Sequence, residues 1–197
     1  MFTGIVETVG RVTSVDRTDG GMTIAVMAPG IVQEMAIGDS IAVNGTCLTA
    51  VRLAGDLFEA EAVLETIAKT NLGDLVIDSP VNLERPMAAS GRFDGHIVQG
   101  HVDGVGEVLA IEPEGDGLRL RISVPDNLMR YIVDKGSITV DGVSLTVAAL
   151  GDDHLEIAII PHTMDVTVLG VRAPGDRVNL EVDVIAKYVE RMMEAKQ

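Results

Sequence analysis

The chain has 197 residues, a formal net charge of −15 and 47% hydrophobic residues. Its length allows one ordinary domain or two small ones, and its apolar content excludes a disordered chain. The acidic charge argues against binding to nucleic acid or to an anionic membrane surface, because both need a basic face.

The single cysteine, Cys47, excludes an intrachain disulfide framework and fits a reducing compartment. The first residues, MFTGIVETVG, have neither the basic region nor the apolar region of a signal peptide. No apolar run reaches transmembrane length. We therefore expect a cytoplasmic protein.

The sequence repeats itself after roughly half its length. Residues 4–12, GIVETVGRV, return as GHVDGVGEV at 100–108, with an offset of 96. Three further blocks align with an offset of 97: DSIAVNGTCLT at 39–49 with GSITVDGVSLT at 136–146, TIAKTNLG at 66–73 with TMDVTVLG at 163–170, and VNLE at 81–84 with VNLE at 178–181. A nearly constant offset indicates two copies of one domain.

Each copy is dominated by short alternating segments such as ETVGRVTSV, MTIAVMA and LRLRISV, which predict β-strands. TDGG at 18–21 and EGDG at 114–117 predict hairpin turns. The stretches 29–38 and 125–136 predict one short helix per copy, because each begins near a proline and ends near a glycine. About six strands per copy suit a small closed barrel, which leaves no strand edge exposed.

Two segments lie outside the repeat. RPMAASGRFDGH, at 85–96, predicts a linker that includes His96. The last residues, VIAKYVERMMEAKQ, place apolar side chains on one helical stripe at positions 184, 185, 188, 189, 192 and 193.

The sequence thus predicts an all-β protein of two tandem six-stranded Greek-key β-barrels, related by internal duplication, plus a C-terminal α-helix. The expected bounds are residues 1–96 for the N-terminal barrel, 97–185 for the C-terminal barrel and 186–197 for the C-terminal helix.

The matched strands carry the pairs C-x-T and S-x-T. Alternate residues of a strand share a face, so Cys47 points with Thr49, and Ser144 points with Thr146. Such small residues either carry chemistry or fill one end of a barrel, and a lone cysteine is more often an inert core residue than a nucleophile.

Two homologous barrels should offer two similar pockets, and these pockets would differ in chemical character at three aligned positions. We place the first member of each pair in one pocket and the second member in the other: Ile5 and His101, Cys47 and Ser144, Glu65 and His162. Because the fold accepts isoleucine at one of these positions, His101 is not required by the architecture, which favours a functional role. A metal site is not expected from one cysteine and the odd spacing of His96 and His101.

Five stretches together resemble the riboflavin synthases of the lumazine-dismutating type: MFTGIVE, VNGTCLT, GHVDG, VDGVSLT and IPHT. The resemblance covers essentially the whole chain. It implies a reaction without cofactor, in which two 6,7-dimethyl-8-ribityllumazine molecules exchange a four-carbon unit. One becomes riboflavin and the other becomes 5-amino-6-ribitylamino-pyrimidinedione. It also implies a homotrimer held partly by C-terminal helices, with each active site between the first barrel of one subunit and the second barrel of its neighbour.

The resemblance also implies which residues form the site. The catalytic candidates are a nucleophile, two proton-transfer groups and three charged residues that orient them: Cys47; His101 and Ser144; Asp141, Asp183 and Lys135. The substrate-binding candidates would hold the pyrimidine edges and ribityl chains of two lumazines: Phe2, Gly4, Ile5, Val6, Ser40, Cys47, Leu48, Thr49, Glu61, Ala62, Val63, Leu64, Glu65, Thr66, Gly100, His101, Val102, Lys135, Ser144, Leu145, Thr146, Ile160, Pro161, His162, Thr163, Met164 and Asp165.

A competing function stays open, since some relatives of similar fold bind a lumazine or flavin as a light-emitting antenna and catalyse nothing. The joint presence of Cys47, His101 and Ser144 favours the enzyme, whereas a purely structural β-protein leaves the polar differences between the copies unexplained. The sequence also leaves open which barrel binds the donor, whether thiol or water is the nucleophile, and whether the protein associates with lumazine synthase, the capsid-forming enzyme of the same pathway.

Overall fold

The computed structural model describes residues 1–194 and contains two closed barrels of six strands each. All neighbouring strands run antiparallel. The predicted fold class is therefore confirmed, and so are the hairpin turns, which join Thr18 to Gly21 and Glu114 to Gly117.

The two barrels share one topology. The first closes in the order β1-β2-β5-β4-β3-β6 and consists of β1 (Thr8–Thr18), β2 (Gly21–Met27), β3 (Ser40–Val43), β4 (Thr46–Ala54), β5 (Leu57–Val63) and β6 (Pro80–Glu84). The second closes in the equivalent order β7-β8-β11-β10-β9-β12 and consists of β7 (Gly104–Glu114), β8 (Gly117–Ser123), β9 (Ser137–Val140), β10 (Val143–Leu150), β11 (His154–Ile159) and β12 (Arg177–Val182).

Each barrel encloses its own apolar core, because alternate residues of every strand point inward. Fully buried residues of the first core include Val12, Ile24, Ile41, Phe58 and Leu83. Those of the second core include Val108, Leu120, Ile138, Leu155 and Leu180. Aligned positions are therefore buried in the cores of both barrels.

The short helices differ from the predicted ones. The stretch 29–38 contains only a 3-10 turn, Val32–Glu34. The stretch 125–136 contains only one short helix, which we number α2 (Asp126–Met129). Two further helices were not predicted: α1 (Leu64–Lys69), which follows β5, and α3 (Pro161–Val166), which follows β11. Helices of four to six residues are too short to show a helical period, which is why the sequence pattern missed or misplaced them.

The barrels meet along a polar seam at the turns between β3 and β4 and between β9 and β10. Gly45 and Gly142 have φ of 77° and 78°, and a Cβ on either would lie within 2.7 Å of the other's backbone nitrogen. The Asn82 side chain donates to the carbonyl before Gly142 at 2.9 Å, and Asn179 donates to the carbonyl before Gly45 at 2.8 Å. These reciprocal contacts relate the two copies by an approximate two-fold axis.

The C-terminal helix α4 spans Val184–Glu194, so it begins before the predicted bound of 186, and residues 195–197 lie outside the described part. Polar side chains hold α4 against the second barrel: Lys187 Nζ lies 2.5 Å from Asp103 Oδ1, and the Tyr131 hydroxyl donates to Glu190. Its apolar stripe is 50–66% exposed and consists of Ile185, Tyr188, Val189, Met192 and Met193. No helix within residues 1–194 combines the length and the apolar character needed to cross a membrane.

Candidate active site

The two predicted polar pairs lie on the outer faces of equivalent strands, β4 and β10. Leu48 belongs to the first barrel core, whereas its neighbours Cys47 and Thr49 point the other way and are half-buried and exposed, respectively. Ser144 and Thr146 show the same pattern. The predicted sharing of a face is confirmed, and neither pair fills the interior of a barrel.

Each pair is covered by the segment that leads into the other barrel. The Cys47 amide donates to the Gly100 carbonyl at 2.8 Å, and the Ser144 amide donates to the Gly4 carbonyl at 2.7 Å. Both glycines have positive φ, and a Cβ on either would lie 2.6 Å from the Cβ of the residue it covers. Only glycine permits this close approach. The segments 4–6 and 100–102 are therefore exchanged between the barrels.

This exchange corrects the pockets assigned from the aligned sequence. His101 follows Gly100, which covers Cys47, and Ile5 follows Gly4, which covers Ser144. The backbone next to His101 therefore contacts the strand of the other copy that carries Cys47, and the backbone next to Ile5 contacts the strand that carries Ser144. The side chains of His101 and Ile5 are exposed. Alignment shows which positions are equivalent, but it cannot show which barrel an entering segment contacts.

A small apolar cluster supports the Cys47 side of this arrangement. Phe2, which is completely buried, pairs with Val98 through a 2.8 Å hydrogen bond from its amide. Together with Ala42 these residues form a third core outside both barrels, and Cys47 packs against it. The predicted binding residue Phe2 thus supports the site from below rather than lining an open surface.

His96 is a site residue that the sequence analysis missed. It is 8% exposed rather than part of a free linker, and its Nδ1 lies 2.8 Å from Ser144 Oγ. Burial lowers the pKa of His96, partly opposed by the charge of Asp183, so the imidazole is neutral at neutral pH. With an offset of 96, the position aligned with His96 falls before Met1, so the comparison of copies could not identify it.

Asp141, one of the charged candidates, lies completely buried in the seam between the barrels. Its Oδ1 accepts from the Asn71 side chain at 2.8 Å and from the Asn179 amide at 2.9 Å, and its Oδ2 accepts from Arg172 Nε at 3.0 Å. Within residues 1–194 none of its hydrogen bonds reaches Ser144. The structure thus gives Asp141 a role in joining the barrels, and its catalytic role stays a prediction.

The other two charged candidates, Lys135 and Asp183, lie in different surroundings. Lys135 is exposed, and its Nζ donates to the Ala148 carbonyl at 2.6 Å. Asp183 Oδ1 accepts from the Ile185 amide at 2.9 Å at the start of α4, and its charge acts on His96. Asp183 is therefore the charged candidate that the structure brings to the Ser144 side.

The predicted binding segments 61–66 and 160–165 form exposed rims at corresponding ends of the barrels. Because β5 runs antiparallel to β4, its last residues lie at the end where Cys47 begins the strand, and β11 is related to β10 in the same way. Val63, Leu64 and Ile160 are 57–62% exposed. Exposed apolar side chains beside a polar pair can contact a ligand that has both apolar and polar parts.

A cleft of about 600 Å³ lies beside the linker and is lined by Ile5 and Ser40, among others, but Cys47, His101 and Ser144 lie outside it. Of these three side chains, His101 is exposed, whereas Cys47 and Ser144 are half-buried. In the part of the chain that the structure describes, no group of three or more His, Cys, Asp or Glu side chains is placed to hold a metal ion.

Comparison with known proteins agrees with this geometry. The lumazine binding domain model matches the chain twice, at residues 3–86 and 99–183. A riboflavin synthase from Mycobacterium tuberculosis is 50% identical over 197 residues, covering 98% of this chain and 98% of the relative. Another, from Actinobacillus pleuropneumoniae, is 46% identical over 193 residues, covering 98% and 90%. The chain belongs to the riboflavin synthase family.

Riboflavin synthases share this fold with a solved ligand-binding protein. The structure of LumP complexed with riboflavin superposes with a TM-score of 0.86 at 30% identity, covering 92% of this chain and 99% of LumP. The structure of LumP complexed with 6,7-dimethyl-8-(1'-D-ribityl) lumazine gives a TM-score of 0.85 at 28% identity. Because a fold does not by itself determine a function, the function must be argued from the side chains of the site.

Proposed function

We propose that the protein is a riboflavin synthase, a transferase of riboflavin biosynthesis that moves a four-carbon unit between two 6,7-dimethyl-8-ribityllumazine molecules. The observation that carries this proposal is the presence of two equivalent sites with unlike reactive groups, Cys47 beside the His101 segment and Ser144 beside His96. Full-length similarity to riboflavin synthases supports it.

The chemistry needs two similar sites because it consumes two copies of one substrate. The two lumazines together contain all the atoms of riboflavin and of the pyrimidinedione product, so the reaction balances without a cofactor. Holding both rings face to face turns an encounter of dilute molecules into a step within one complex. Such positioning contributes up to about 7–11 kcal/mol in favourable cases.

The unlike side chains then assign unlike roles to identical molecules. We infer that His101 accepts a proton from the acidic 7-methyl group of the donor, since imidazole suits proton transfer at neutral pH. Ser144, bonded to the neutral His96, takes part in proton transfer on the opposite side. Cys47 either adds to the electron-poor ring of the acceptor or lines the site while water adds.

The complete site is proposed to form in a homotrimer, between the first barrel of one subunit and the second barrel of its neighbour. Two features support this arrangement. Within one chain His101 is exposed and lies outside the cleft beside the linker, and α4 turns polar residues towards its own barrel while it exposes an apolar stripe. Such a stripe favours packing against another subunit. We also expect a cytoplasmic enzyme, because its single cysteine fits a reducing compartment.

The decisive experiment mixes the purified protein with the lumazine and follows the absorption of riboflavin. Formation of one riboflavin per two lumazines consumed is expected. Tight binding of lumazine without turnover would instead identify an antenna-type protein, the alternative that the likeness to LumP supports. Co-sedimentation with lumazine synthase tests the association that the sequence left open.

A further inference from the structure

The two copies of VNLE end in buried carboxylates that no catalytic step above uses. Glu84 is the last residue of β6, and Glu181 lies at the aligned position of β12; they are 6% and 2% exposed. Within the described residues neither of them forms an ion pair with lysine or arginine. Carboxylates are seldom buried in this way, because the hydration they lose must be replaced by hydrogen bonds.

The Glu181 carboxylate accepts hydrogen bonds from the segment that covers Cys47. Its Oε1 accepts from the Gln99 amide at 2.7 Å, and its Oε2 accepts from the Gly100 and His101 amides at 3.0 Å each. The carbonyl of Gly100 in turn accepts from the Cys47 amide at 2.8 Å. One carboxylate thus fixes the backbone of His101 and, through one residue, the contact with Cys47.

Glu84 holds the other exchanged segment in nearly the same way. Its Oε1 accepts from the Thr3 amide at 2.6 Å and the Thr3 hydroxyl at 2.9 Å, and its Oε2 accepts from the Gly4 amide at 3.0 Å. The Ile5 amide bonds to the Thr3 hydroxyl instead, at 3.3 Å. The direct bond to the third amide therefore exists only on the side that carries His101.

We propose that Glu181 is a positioning residue that holds the His101 segment against Cys47, and that Glu84 does the same for the Ile5 segment against Ser144. The proposal rests on the function proposed above. A carboxylate suits this task better than an amide, because its two oxygens accept all three amide protons, whereas a glutamine offers one oxygen and turns its own NH₂ towards a backbone donor.

We call each of these two buried carboxylates, Glu181 and Glu84, a clamp. Opposing effects act on the pKa of the Glu181 clamp. Burial raises the pKa of Glu181, while the Gln99 and Gly100 amides act in the opposite direction and favour the charged form. Asp103 raises the pKa further, and Lys187, paired with Asp103, counteracts this effect. Bonds from amides to an ionised carboxylate are short and roughly twice as strong as neutral ones.

The chain supplies its own reporter for the test, since Cys47 is its single cysteine and is half-buried. We would measure the rate at which iodoacetamide alkylates Cys47 in the intact protein and in the variants Glu181→Gln and Glu84→Gln. Glu181→Gln should raise the rate by roughly tenfold or more, because the covering segment opens more often. Glu84→Gln, the matched control, should raise it clearly less, since its amide partners lead to Ser144.

Equal rates in the two variants, or a wild-type rate in Glu181→Gln, would overturn the proposal. If Glu181→Gln does not fold, Glu181→Asp keeps the charge but withdraws it by one methylene group, and it should give an intermediate rate. Failure of both variants to fold would indicate a purely architectural residue and would also refute the proposal.

Kinetics provide the second readout. Both glutamine variants should lose kcat more than they raise KM, because the clamps orient reacting groups rather than the ribityl chain. A variant that changes only KM would contradict this part. A wild-type protein that makes no riboflavin would refute the proposed function, but the comparison of Cys47 alkylation rates would still test the clamps.

Discussion

His96 places an imidazole nitrogen 2.8 Å from the Ser144 hydroxyl, held away from water. Its Nε2 has no partner among the described residues, although it is buried. Burial lowers the pKa of His96 and so favours the neutral imidazole, which can share a hydrogen bond with the serine hydroxyl in either direction. At the scale of single residues, the second copy thus differs from the first by a buried imidazole as well as by its hydroxyl.

The lowered pKa of His96 makes stability depend on pH. Below the ordinary value of 6.5 the unfolded chain takes up a proton that the folded protein does not, so the free energy of unfolding decreases as the pH falls through this value towards the folded pKa. Replacing His96→Gln should remove this contribution. Urea unfolding of both proteins between about pH 5 and pH 8 measures it, and parallel pH profiles would contradict the assignment.

The thiol of Cys47 can be tested with a replacement that the fold already accepts, since Ser144 occupies the aligned position in the second copy. Cys47→Ser should therefore unfold at nearly the wild-type urea concentration. Its turnover should fall by roughly tenfold or more if the thiol adds to the acceptor lumazine, because a hydroxyl is a far weaker nucleophile. Wild-type turnover would show that water adds instead.

The sequence singled out residues whose chemistry could be compared between copies. Cys47, His101 and Ser144 each have an aligned counterpart of different character, and the resemblance gave them their predicted roles. His96 has no counterpart, and it meets Ser144 across 48 positions of sequence. The exchange of segments was also unpredictable, because periodicity describes one strand at a time and not which barrel a strand's neighbour belongs to.

At the scale of secondary structure elements, the two halves of the seam are not equivalent. The second copy buries an ion pair between Asp141 and Arg172, whose side chains are 0% and 18% exposed. The aligned positions of the first copy hold Asn44 and Leu75, both buried and uncharged. Alternation and turn residues predicted the strands of both barrels, but a contact between barrels depends on geometry that the pattern of one strand does not contain.

This asymmetry predicts a rescue. Asp141→Asn should lower the free energy of unfolding by about 3–5 kcal/mol, because it leaves Arg172 buried without its carboxylate. The double variant Asp141→Asn/Arg172→Leu reproduces the pair found in the first copy and should recover a large part of this loss. Urea unfolding measures both, and a double variant no more stable than the single one would contradict the explanation.

At the scale of the whole molecule, α4 is attached by its polar side and exposes its apolar side. Lys187 and Glu190 bond to the second barrel, whereas the stripe that includes Tyr188 and Val189 has no cover within the described chain. The sequence predicted the stripe from its spacing. It could not predict the orientation, because that depends on where the partners Asp103 and Tyr131 lie in the fold.

Removing residues 186–197 should give a folded monomer, because both barrel cores lie entirely before this helix. Light scattering measures the mass of the assembly. Within the full chain, Val189→Glu should dissociate the assembly, whereas Arg191→Gln, at a side chain that is 84% exposed, should leave it intact. A trimer that persists after the deletion would refute the role of α4.

The crossing of the segments 4–6 and 100–102 has a historical consequence. Two separate barrels that exchanged such segments would form a symmetric dimer. Joining their genes end to end would keep the same contacts within one polypeptide. Once joined, the copies could diverge, so that one segment carries Ile5 and the other carries His101 while both keep their backbone contacts. Each half, cut at the linker, would keep its six strands but lose the segment of the other copy that covers its polar pair, so we expect neither half to work alone.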